Sequence, residues 1–458
     1  MWASWGGYPR VAQQYKIVNW QNEISTAVEQ TKIESILPVG LRRSYGDSCI
    51  NTDGVAITMN SVNRFLNFNP NTGVVECEAG VSLDQILRFF VPRGWFLPVV
   101  PGTKFITVGG AIANDVHGKN HHVGGTFGCH VSSLLLRRSD GTVLRCSQTE
   151  NKGFFCATIG GLGLTGTILS AEITLKPITT AYIDQISEKF TSLAEFFEVS
   201  DRLSRDHEYT VAWIDCISGG EEGRGIFMAG NTRRYDANLD LAGDTSIGDG
   251  SKAEMVARRS ATNFRMLKTH RDSILSVPIV APEWVLSPLT MRLFNSVYYH
   301  KQKAKVRNSL IHYDPFFFPL DAVGHWNRLY GKRGFLQFQC VSSREVIREV
   351  LREVVKSQAG SLLAVLKEFG SLVSPGMLSF PKPGVTLALD FPFRGRPTEE
   401  LFLRLATIVC DGGGRMYPAK DALMTPEQFL EFYPNLSEFL PFVDPLHSSD
   451  FARRVHLV

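Results

Sequence analysis

The chain has 458 residues, of which 44% are hydrophobic and 20% charged, and its formal net charge is +3. This length predicts two or three domains, and the balance is that of a folded protein, which excludes a disordered chain. The small charge and the lack of a basic stripe exclude a nucleic-acid binder. The eight scattered cysteines form no CxxC motif and no zinc-like spacing, so we expect reduced thiols and no metal site.

Targeting signals are the next feature to consider. No secretory signal and no uninterrupted apolar run long enough to cross a bilayer is present, so we expect a cytoplasmic or peripheral membrane protein. The longest apolar stretch, residues 276–299, is interrupted by prolines. A core segment is its default interpretation, and a surface patch that meets lipid or a greasy substrate is the alternative. The basic cluster that follows, at residues 301–307, reads on its own as a solvated helix face.

The first third of the chain alternates short elements with glycine-rich loops. We predict a helix near residues 23–31, strands at 36–39, 55–59, 73–78 and 95–100, a helix at 83–90 capped by Ser82, and a hairpin of strands at 131–137 and 142–146. Between them, residues 101–130 hold seven of the 40 glycines and four of the 11 histidines. Thr107 is placed to cap a small-residue helix whose free N–H groups would attract phosphate. A glycine-rich surface loop before a core helix is the equally ordinary interpretation.

A formal GxGxxG motif occurs at Gly161, Gly163 and Gly166. A Rossmann fingerprint must follow a strand and open a helix. Here the order is reversed, because a predicted helix at 154–159 precedes the motif and a predicted strand at 167–175 follows it. We therefore interpret the motif as a glycine loop that enters a strand.

The pattern of predicted secondary structure changes near residue 180. Predicted helices at 192–205, 343–358 and 398–410 alternate with predicted strands at 209–218, 225–229, 335–341, 362–366 and 385–391. This alternation is typical of an α+β domain. Residues 235–253, rich in Asp, Gly, Ser and Asn, predict a mobile loop. Short helices at 425–433 and 449–456 are expected to end the chain.

Eight motifs carry a resemblance to a known family. They are residues 40–47 (GLRRSYGD), 101–128 (PGTKFITVGGAIANDVHGKNHHVGGTFG), 160–166 (GGLGLTG), 334–339 (GFLQFQ), 367–370 (KEFG), 390–392 (DFP), 417–421 (YPAKD) and 449–454 (SDFARR). Over nearly its whole length the chain resembles FAD-dependent oxidases of the vanillyl-alcohol-oxidase type. Within that superfamily it is similar to the decaprenylphosphoryl-β-D-ribose 2′-oxidase family. The HGKNHH and YPAKD segments are specific to this family, whereas the glycine loops indicate only the superfamily.

The resemblance implies a fold and an activity. The fold would be α+β, with a two-part FAD-binding domain (residues 1–180 and 415–458) and an inserted α+β substrate domain (181–414). The activity would be oxidation of the 2′-hydroxyl of a polyprenylphosphoryl-β-D-ribose to the keto sugar, the first half of epimerisation to the arabinose donor of cell-wall polysaccharide. The implied partners are this lipid-linked sugar phosphate, an NAD(P)H-dependent reductase, a quinone or oxygen as electron acceptor, and a membrane contacted peripherally.

The resemblance also assigns residues. The FAD set comprises Val39, Gly40, Arg42, Arg43, Ser44, Tyr45, Gly46, Asp47, Gly102, Thr107, Val108, Gly109, Gly110, Asn114, His117, Ile168 and Tyr417. Converging backbone N–H groups in two of these glycine segments, 39–47 and 107–110, would hold the pyrophosphate. The catalytic set is Lys420, Tyr45 and His117, and the substrate set is Lys119, Gln337, Gln339, Lys367 and Asp390.

Three of these assignments have ordinary alternatives. Lys420 would act either as a base with a lowered pKa or as a charged anchor for a developing anion; without the resemblance it reads as an exposed lysine after a loop. Gln337 and Gln339 lie two apart on a predicted strand and so share a face, which suits either sugar hydroxyls or solvent. His117 could instead be a satisfied core histidine.

The sequence departs from the family at four positions, and a fifth position bears on how the flavin is attached. Arg42 stands where the family usually has glycine. Arg43 stands where covalent flavoenzymes often have histidine, which predicts non-covalent FAD. Mycobacterial members have Cys, Asn and Tyr where this chain has Ala388, Thr386 and Phe317. Inhibitors that react with the thiol should therefore not label this protein, and the prenyl length and the sugar stay open.

Two other functions compete with the family activity. One is FAD-dependent oxidation of soluble polyols or aldonolactones, against which Lys119 and Lys367 argue because they suit a phosphate. The other is a flavin-free or catalytically silent carbohydrate-binding protein, against which the intact glycine loops and Lys420 argue.

Overall fold

The computed structural model describes residues 1–29, 35–218, 220–235, 266–273, 275–361 and 363–458. The predicted loop at 235–253 lies, from residue 236 onward, outside the described residues. Among the described helices, none is both long and apolar enough to span a bilayer.

A three-stranded parallel sheet stands at the start of the fold. Its strands, in spatial order, are Gln14–Ile17, Val55–Thr58 and Ile36–Val39, and helix Glu23–Glu29 follows the first of them. The C-terminal tail pairs with the edge of this sheet at Ile36. The backbone N–H of Ile36 donates to the carbonyl of Leu446 at 2.7 Å, and the N–H of Ser448 donates to the carbonyl of Ile36 at 3.0 Å. The last residues of the chain therefore stabilise the strand that delivers the 40–47 loop.

A five-stranded antiparallel sheet carries the glycine-rich centre. Its order is Val143–Ser147, Val131–Arg137, Thr167–Thr174, Val74–Glu78 and Phe65–Asn69. Helix Leu83–Phe90 begins with a capping box at Ser82 and buries Leu83, Ile86, Leu87 and Phe90, as expected for an amphipathic helix. Helix Lys152–Thr158 precedes the Gly161 loop and strand Thr167–Thr174 follows it, so the order that excluded a Rossmann motif is confirmed.

An eight-stranded antiparallel sheet forms the middle of the chain. Its order is Val306–His312, Tyr182–Phe190, Arg224–Thr232, Tyr209–Asp215, Ala364–Phe369, Gly384–Pro392, Phe335–Ser342 and Arg415–Met416. Helices Leu193–Leu203, Arg344–Ser357 and Arg396–Asp411 contribute buried residues to the same core as alternate strand residues, among them Leu336, Phe338, Leu366 and Leu387. Because side chains alternate along a strand, the other face is left for the residues between them.

The smaller elements connect these sheets. Three two-stranded pairs join Trp2–Ala3 to Arg10–Val11, Lys176–Pro177 to Trp95–Phe96, and Leu275–Ser276 to Val323–Gly324. The short helices are Val108–Ala113, His121–Gly124, Tyr313–Phe317, Pro426–Phe432, Leu436–Phe439 and Asp450–Arg454. The predicted α+β class is confirmed, whereas the domain boundaries at 180 and 414 stay predictions.

The apolar stretch at 276–299 was predicted by default as a core segment, and this is wrong. Ser287 caps a helix, Pro288–Lys301, in which Pro288 occupies the first turn, a position where the missing N–H is harmless. Only Met291, Asn295 and Tyr299 of this helix are buried, and the apolar side chains on its other side are exposed. Apolar composition alone could not tell which residues of the stretch face solvent.

Candidate active site

A cavity of about 590 Å³ lies between the open face of the eight-stranded sheet and the glycine-rich loops. This volume falls within the range of cofactor and small-molecule sites. The cavity brings together most of the predicted site residues, namely Val39, Gly40, Arg42, Arg43, Ser44, Tyr45, Gly102, Thr107, Gly109, Gly110, Asn114, His117, Lys119, Ile168, Gln337, Gln339, Lys367, Asp390, Tyr417 and Lys420.

Three predicted FAD contacts do not line the cavity. Val108 is fully buried in the core. A Cβ on Gly46 would lie 1.5 Å from the carbonyl oxygen of Asp421, so only glycine allows this close approach of two backbones. The carboxylate of Asp47 accepts two hydrogen bonds of 2.8 Å from Arg454, which also reaches Asp421 at 2.9 Å. Gly46 and Asp47 therefore fasten the 40–47 loop to the C-terminal segment.

The start of helix Val108–Ala113 does not offer the free donors that the sequence suggested. Thr107 caps the helix as predicted, because its Oγ1 accepts from the N–H of Gly110 at 3.1 Å. The N–H groups of Val108 and Gly109 donate to the carbonyls of Val81 and Ala79, both at 2.8 Å. These three groups are thus already paired, and a phosphate could use them only by displacing a protein acceptor.

The loop at residues 40–48 offers the free donors instead. The backbone N–H groups of residues 41–44 have no acceptor among the described residues. In the same part of the chain, the Nε of Arg43 and the Oγ of Ser48 are buried without a hydrogen-bond partner, and both residues line the cavity. Buried donors without partners are costly, so this loop fits an anionic group such as the pyrophosphate of FAD.

The structure shows how Arg42, one of the departures from the family, is accommodated. Its φ is +53°, in the left-handed region where glycine is the least strained residue. The chain accepts arginine there, and its guanidinium lies 4.1 Å from the ring centroid of Trp2. The side chain thus contacts an aromatic ring, a favourable cation–π arrangement.

Three partly buried lysines, Lys119, Lys367 and Lys420, dominate the electrostatics of the cavity. Burial lowers the pKa of Lys119 to about 7, with repulsion from Lys367 as a second cause. Burial also lowers the pKa of Lys367 to about 8. Lys119 donates to the backbone carbonyl of Phe316, and the Nζ of Lys420 lies 3.7 Å from the ring centroid of Tyr45. An anion that enters this cavity would meet three partly desolvated cations.

Lys420 and Asp390 influence each other. Burial lowers the pKa of Lys420, the charge of Asp390 opposes this, and repulsion from Lys367 adds to it. Burial raises the pKa of Asp390, whereas a hydrogen bond from Gln337 and the charge of Lys420 oppose the rise. The backbone positions Lys420 next to Tyr45, since the N–H of Tyr45 donates to the carbonyl of Ala419 at 3.0 Å. Lys420 and Asp390, two groups that can exchange protons, are therefore close to the buried Tyr45.

His117 is held by one hydrogen bond and by contacts with the rings of Phe369, Phe380 and Tyr417. Gln339 Nε2 lies 3.0 Å from His117 Nε2, and because the amide nitrogen can only donate, the imidazole carries its proton on Nδ1. That Nδ1 is buried without a partner among the described residues. Burial and nearby lysines hold the pKa of His117 well below its ordinary value, so the ring is neutral and its N–H is available to a ligand.

Part of the cavity lining is apolar, which was not predicted from the sequence; we call this part the apolar arm. Val211 and Trp213, two apart on strand Tyr209–Asp215, line it together with Met228, Phe294 and Tyr298. The Trp213 and Tyr298 rings lie 4.7 Å apart, edge to face. The sequence carried only a weak signal, because positions 211 and 213 lie two apart on a predicted strand and so share a face. The whole strand is buried, and nothing in the sequence indicated which of its faces would border a cavity.

The remaining departures from the family also line the cavity. Ala388, Thr386 and Phe317 all face it, and the Oγ1 of Thr386 is buried without a partner among the described residues. In the parts of the chain that the structure describes, no group of three or more His, Cys, Asp or Glu residues is arranged to hold a metal ion.

The site and fold define a flavoprotein. The family of FAD binding domains matches residues 14–147, which include the 40–48 loop and the Thr107 helix. The chain is therefore an FAD-dependent oxidoreductase with an FAD-binding domain of the vanillyl-alcohol-oxidase type. This confirms the predicted cofactor and fold class and sets aside the flavin-free alternative.

Three relatives narrow the class further. The chain is 36% identical over 436 residues to decaprenylphosphoryl-β-D-ribose oxidase of Mycolicibacterium smegmatis, across 92% of this chain and 89% of that protein. It is 30% identical over 388 residues to an uncharacterized protein of Streptomyces coelicolor, across 82% of this chain and 100% of that protein. It is 28% identical over 216 residues to L-gulonolactone oxidase of Mus musculus, across 46% of this chain and 48% of that protein. The chain belongs to the decaprenylphosphoryl-β-D-ribose oxidase family, and the predicted resemblance is confirmed.

Proposed function

We propose that this protein oxidises the 2′-hydroxyl of a polyprenylphosphoryl-β-D-ribose to the 2′-keto sugar. The observation that carries the proposal is the meeting of Lys119, Lys367 and Lys420 in one cavity that also has an apolar arm. A sugar phosphate would compensate these partly buried cations through charge-assisted hydrogen bonds. A prenyl chain would bury apolar surface against Trp213 and Met228. A soluble polyol or aldonolactone offers neither contact.

The residues of the chain have separate tasks in this reaction. FAD, when bound, supplies the hydride acceptor. Gln337 and Gln339 offer amide groups to sugar hydroxyls from one face of their strand. Lys420 is the proposed proton-handling group: its neutral Nζ takes the proton of the reacting hydroxyl, or its charged Nζ stabilises the oxygen as negative charge develops. Tyr45 excludes water above Lys420, and His117 offers its free Nδ1–H to the cofactor.

We further propose that FAD is held without a covalent bond. Arg43 lies 3.8 Å from the ring centroid of Trp5 and 5.4 Å from that of Phe105, and a guanidinium is no nucleophile. His117 is the remaining candidate for a link, but its Nε2 is occupied by Gln339. Denaturation followed by ultrafiltration should release the yellow flavin into the filtrate. Flavin that stays with the polypeptide would contradict this.

The proposed reaction also implies partners and a division of the chain. The keto sugar would pass to an NAD(P)H-dependent reductase that reduces it from the opposite face, completing epimerisation to the arabinose donor. A quinone or oxygen would reoxidise the flavin, and the enzyme would contact the membrane that holds its substrate. Residues 1–180 and 415–458 would bind FAD, and residues 181–414 would bind the sugar lipid.

The test is an anaerobic titration of the purified holoprotein. A prenylphosphoryl-ribose should bleach the visible flavin band, while ribose, polyols and aldonolactones should not. Lys119→Met and Lys367→Met should keep the flavin spectrum and require much more substrate for bleaching, since each removes one phosphate partner. If a polyol or an aldonolactone bleached the flavin and the sugar lipid did not, the proposed substrate would be wrong, while the assignment of FAD as the cofactor would stand.

A further inference from the structure

Helix Pro288–Lys301 has apolar residues on two opposite sides. Met291 and Tyr299 belong to its buried stripe. Leu289, Leu293 and Val297 form a second stripe, offset by two residues and so by about 200° around the helix. These three side chains are 77%, 66% and 62% exposed. A helix that packs by one apolar face normally shows a polar face to solvent, so this second stripe, the outer stripe, marks an interaction surface.

The outer stripe adjoins the cavity. Phe294 and Tyr298 lie on one edge of the same helix and line the cavity, with their rings stacked at 6.2 Å. Both are also partly exposed. Trp284, in the turn that leads into the helix, is exposed as well. The same helix therefore lines the apolar arm with one edge and presents apolar side chains to the surface next to it.

The charges beside the outer stripe identify the partner. Arg292, Lys301 and Lys303 are exposed, and no acidic side chain of the described residues forms an ion pair with them. Lysine is depleted from protein–protein interfaces. Lysine and arginine next to exposed Leu, Phe and Trp are typical of helices that lie in the surface of an anionic bilayer.

We propose that the outer stripe of helix Pro288–Lys301 inserts into the surface of an anionic membrane, and that the Phe294–Tyr298 edge passes the prenyl chain from the bilayer into the cavity. The second clause rests on the proposed function, whereas the membrane contact does not. The three basic residues would lie at the level of the lipid headgroups.

The test is co-sedimentation of the holoprotein with vesicles of phosphatidylcholine, with or without phosphatidylglycerol. Leu289→Gln, Leu293→Gln and Val297→Gln together should weaken binding to the mixed vesicles by roughly tenfold or more, because three apolar side chains no longer insert. A matched control changes Leu66, Leu403 and Leu430 to Gln, since these are exposed leucines on other elements. The control should bind like the wild type, and both variants should keep the flavin spectrum.

The basic residues are tested separately. Arg292→Gln, Lys301→Gln and Lys303→Gln together should weaken binding only to vesicles that contain phosphatidylglycerol, by roughly tenfold or more. Three results would overturn the proposal: a wild type that does not bind vesicles, an outer-stripe variant that binds as well as the control, or a wild-type dimer that only the outer-stripe variant dissociates. The last result would make the stripe an interface between two copies of the chain.

Activity separates this proposal from the proposed function. The outer-stripe variant should oxidise a short, water-soluble prenylphosphoryl-ribose at the wild-type rate and should fail with a long-chain substrate held in vesicles. A wild type that binds vesicles and oxidises neither substrate would refute the function and leave the membrane contact standing. A wild type that oxidises the soluble substrate but does not bind vesicles would refute the membrane contact and leave the proposed function standing.

Discussion

The change of Asp390 to asparagine should reveal how Lys420 handles the proton. Asparagine keeps the shape of the side chain and can still accept a hydrogen bond from Gln337, but it removes the charge. Because Asp390 favours the charged form of Lys420 and burial opposes it, the pKa of Lys420 should fall further in Asp390→Asn. An opposite charge about 4–6 Å away shifts a pKa by roughly 1–3 units, or about 1.4–4 kcal/mol. This range is the upper limit for Asp390→Asn, because Asp390 acts on Lys420 through its charge and not through a direct ion pair.

The direction of the change in activity depends on the role of Lys420. If the neutral amine takes the hydroxyl proton, the acidic limb of the kcat/KM profile reports its pKa, and this limb should move to lower pH. If the charged amine stabilises a developing anion, the alkaline limb should move to lower pH, and turnover near neutral pH should be lost. The two roles thus give different profiles for the same variant.

Anaerobic flavin reduction across a pH series measures both limbs. Lys367→Met is the matched control with the opposite sign, because Lys367 repels the charge of Lys420 and its removal should raise that pKa. The level of kcat/KM will fall in this variant if Lys367 binds phosphate, but the limb should still move upward. Profiles that do not move in either variant, with FAD still bound, would show that Lys420 is not the titrating group.

Three further predictions concern other parts of the structure. In a Cys129→Ser background, which removes the exposed thiol, Ala388→Cys should make the cavity reactive to thiol-directed inhibitors, detected as added mass, whereas the parent should stay unmodified. Arg42→Gly should be more stable to urea than Arg42→Ala by about 1–2 kcal/mol, because only glycine relieves the left-handed backbone; equal stabilities would contradict the strain. Asp444→Asn should lower the free energy of unfolding by about 1–4 kcal/mol at neutral pH. Burial raises the pKa of Asp444, but His447 at 3.0 Å and the N–H of Ser139 at 2.8 Å outweigh it and hold that pKa well below the ordinary value. The contribution of the carboxylate is therefore present above the ordinary pKa and is lost as the pH falls, so the variant should converge with the wild type in strong acid.

Local chemistry made some of the fold predictable. The predicted cap at Ser82 and the predicted helix Leu83–Phe90 have the bounds that the structure shows. They could be predicted because a cap and its first turn depend on residues only three positions apart. Gln337 and Gln339 share the cavity face because strand alternation fixes their direction before any partner strand is known.

Long-range pairing could not be predicted in the same way. The strand expected at 95–100 is only Trp95–Phe96, since Pro98 lacks the N–H that a ladder needs. Strand Val306–His312 was not predicted at all, because its mixture of charged and apolar residues shows little alternation; it forms only as the edge partner of Tyr182–Phe190. The sequence also could not show that the carbonyls of Val81 and Ala79 already occupy the donors of the Thr107 helix.

The low pKa values of Lys119 and Lys367 should affect substrate affinity. In the free enzyme Lys119 and Lys367 have pKa values of about 7 and about 8, so both are only partly protonated near neutral pH. A bound phosphate favours their charged forms and raises both pKa values, and binding is therefore coupled to proton uptake. Affinity for a sugar phosphate should be constant at mildly acidic pH and fall as the pH rises above about 7, by up to tenfold per pH unit for each proton taken up.

This dependence distinguishes a phosphate ligand from a neutral one. Binding of a prenyl phosphodiester that lacks the oxidisable sugar can be followed through the perturbed flavin spectrum at several pH values. A diester is the right probe because it keeps one negative charge across this range, whereas a phosphate monoester changes its own charge at about pH 6. Lys119→Met and Lys367→Met should each flatten the dependence as well as weaken binding, because each variant removes one of the protons. A polyol or an aldonolactone has no charge to offer, so its affinity should not follow the two lysines. If the affinity for the phosphodiester were independent of pH between mildly acidic and alkaline solution, Lys119 and Lys367 would not be its partners, and the argument that selects a sugar phosphate over a soluble sugar would fail.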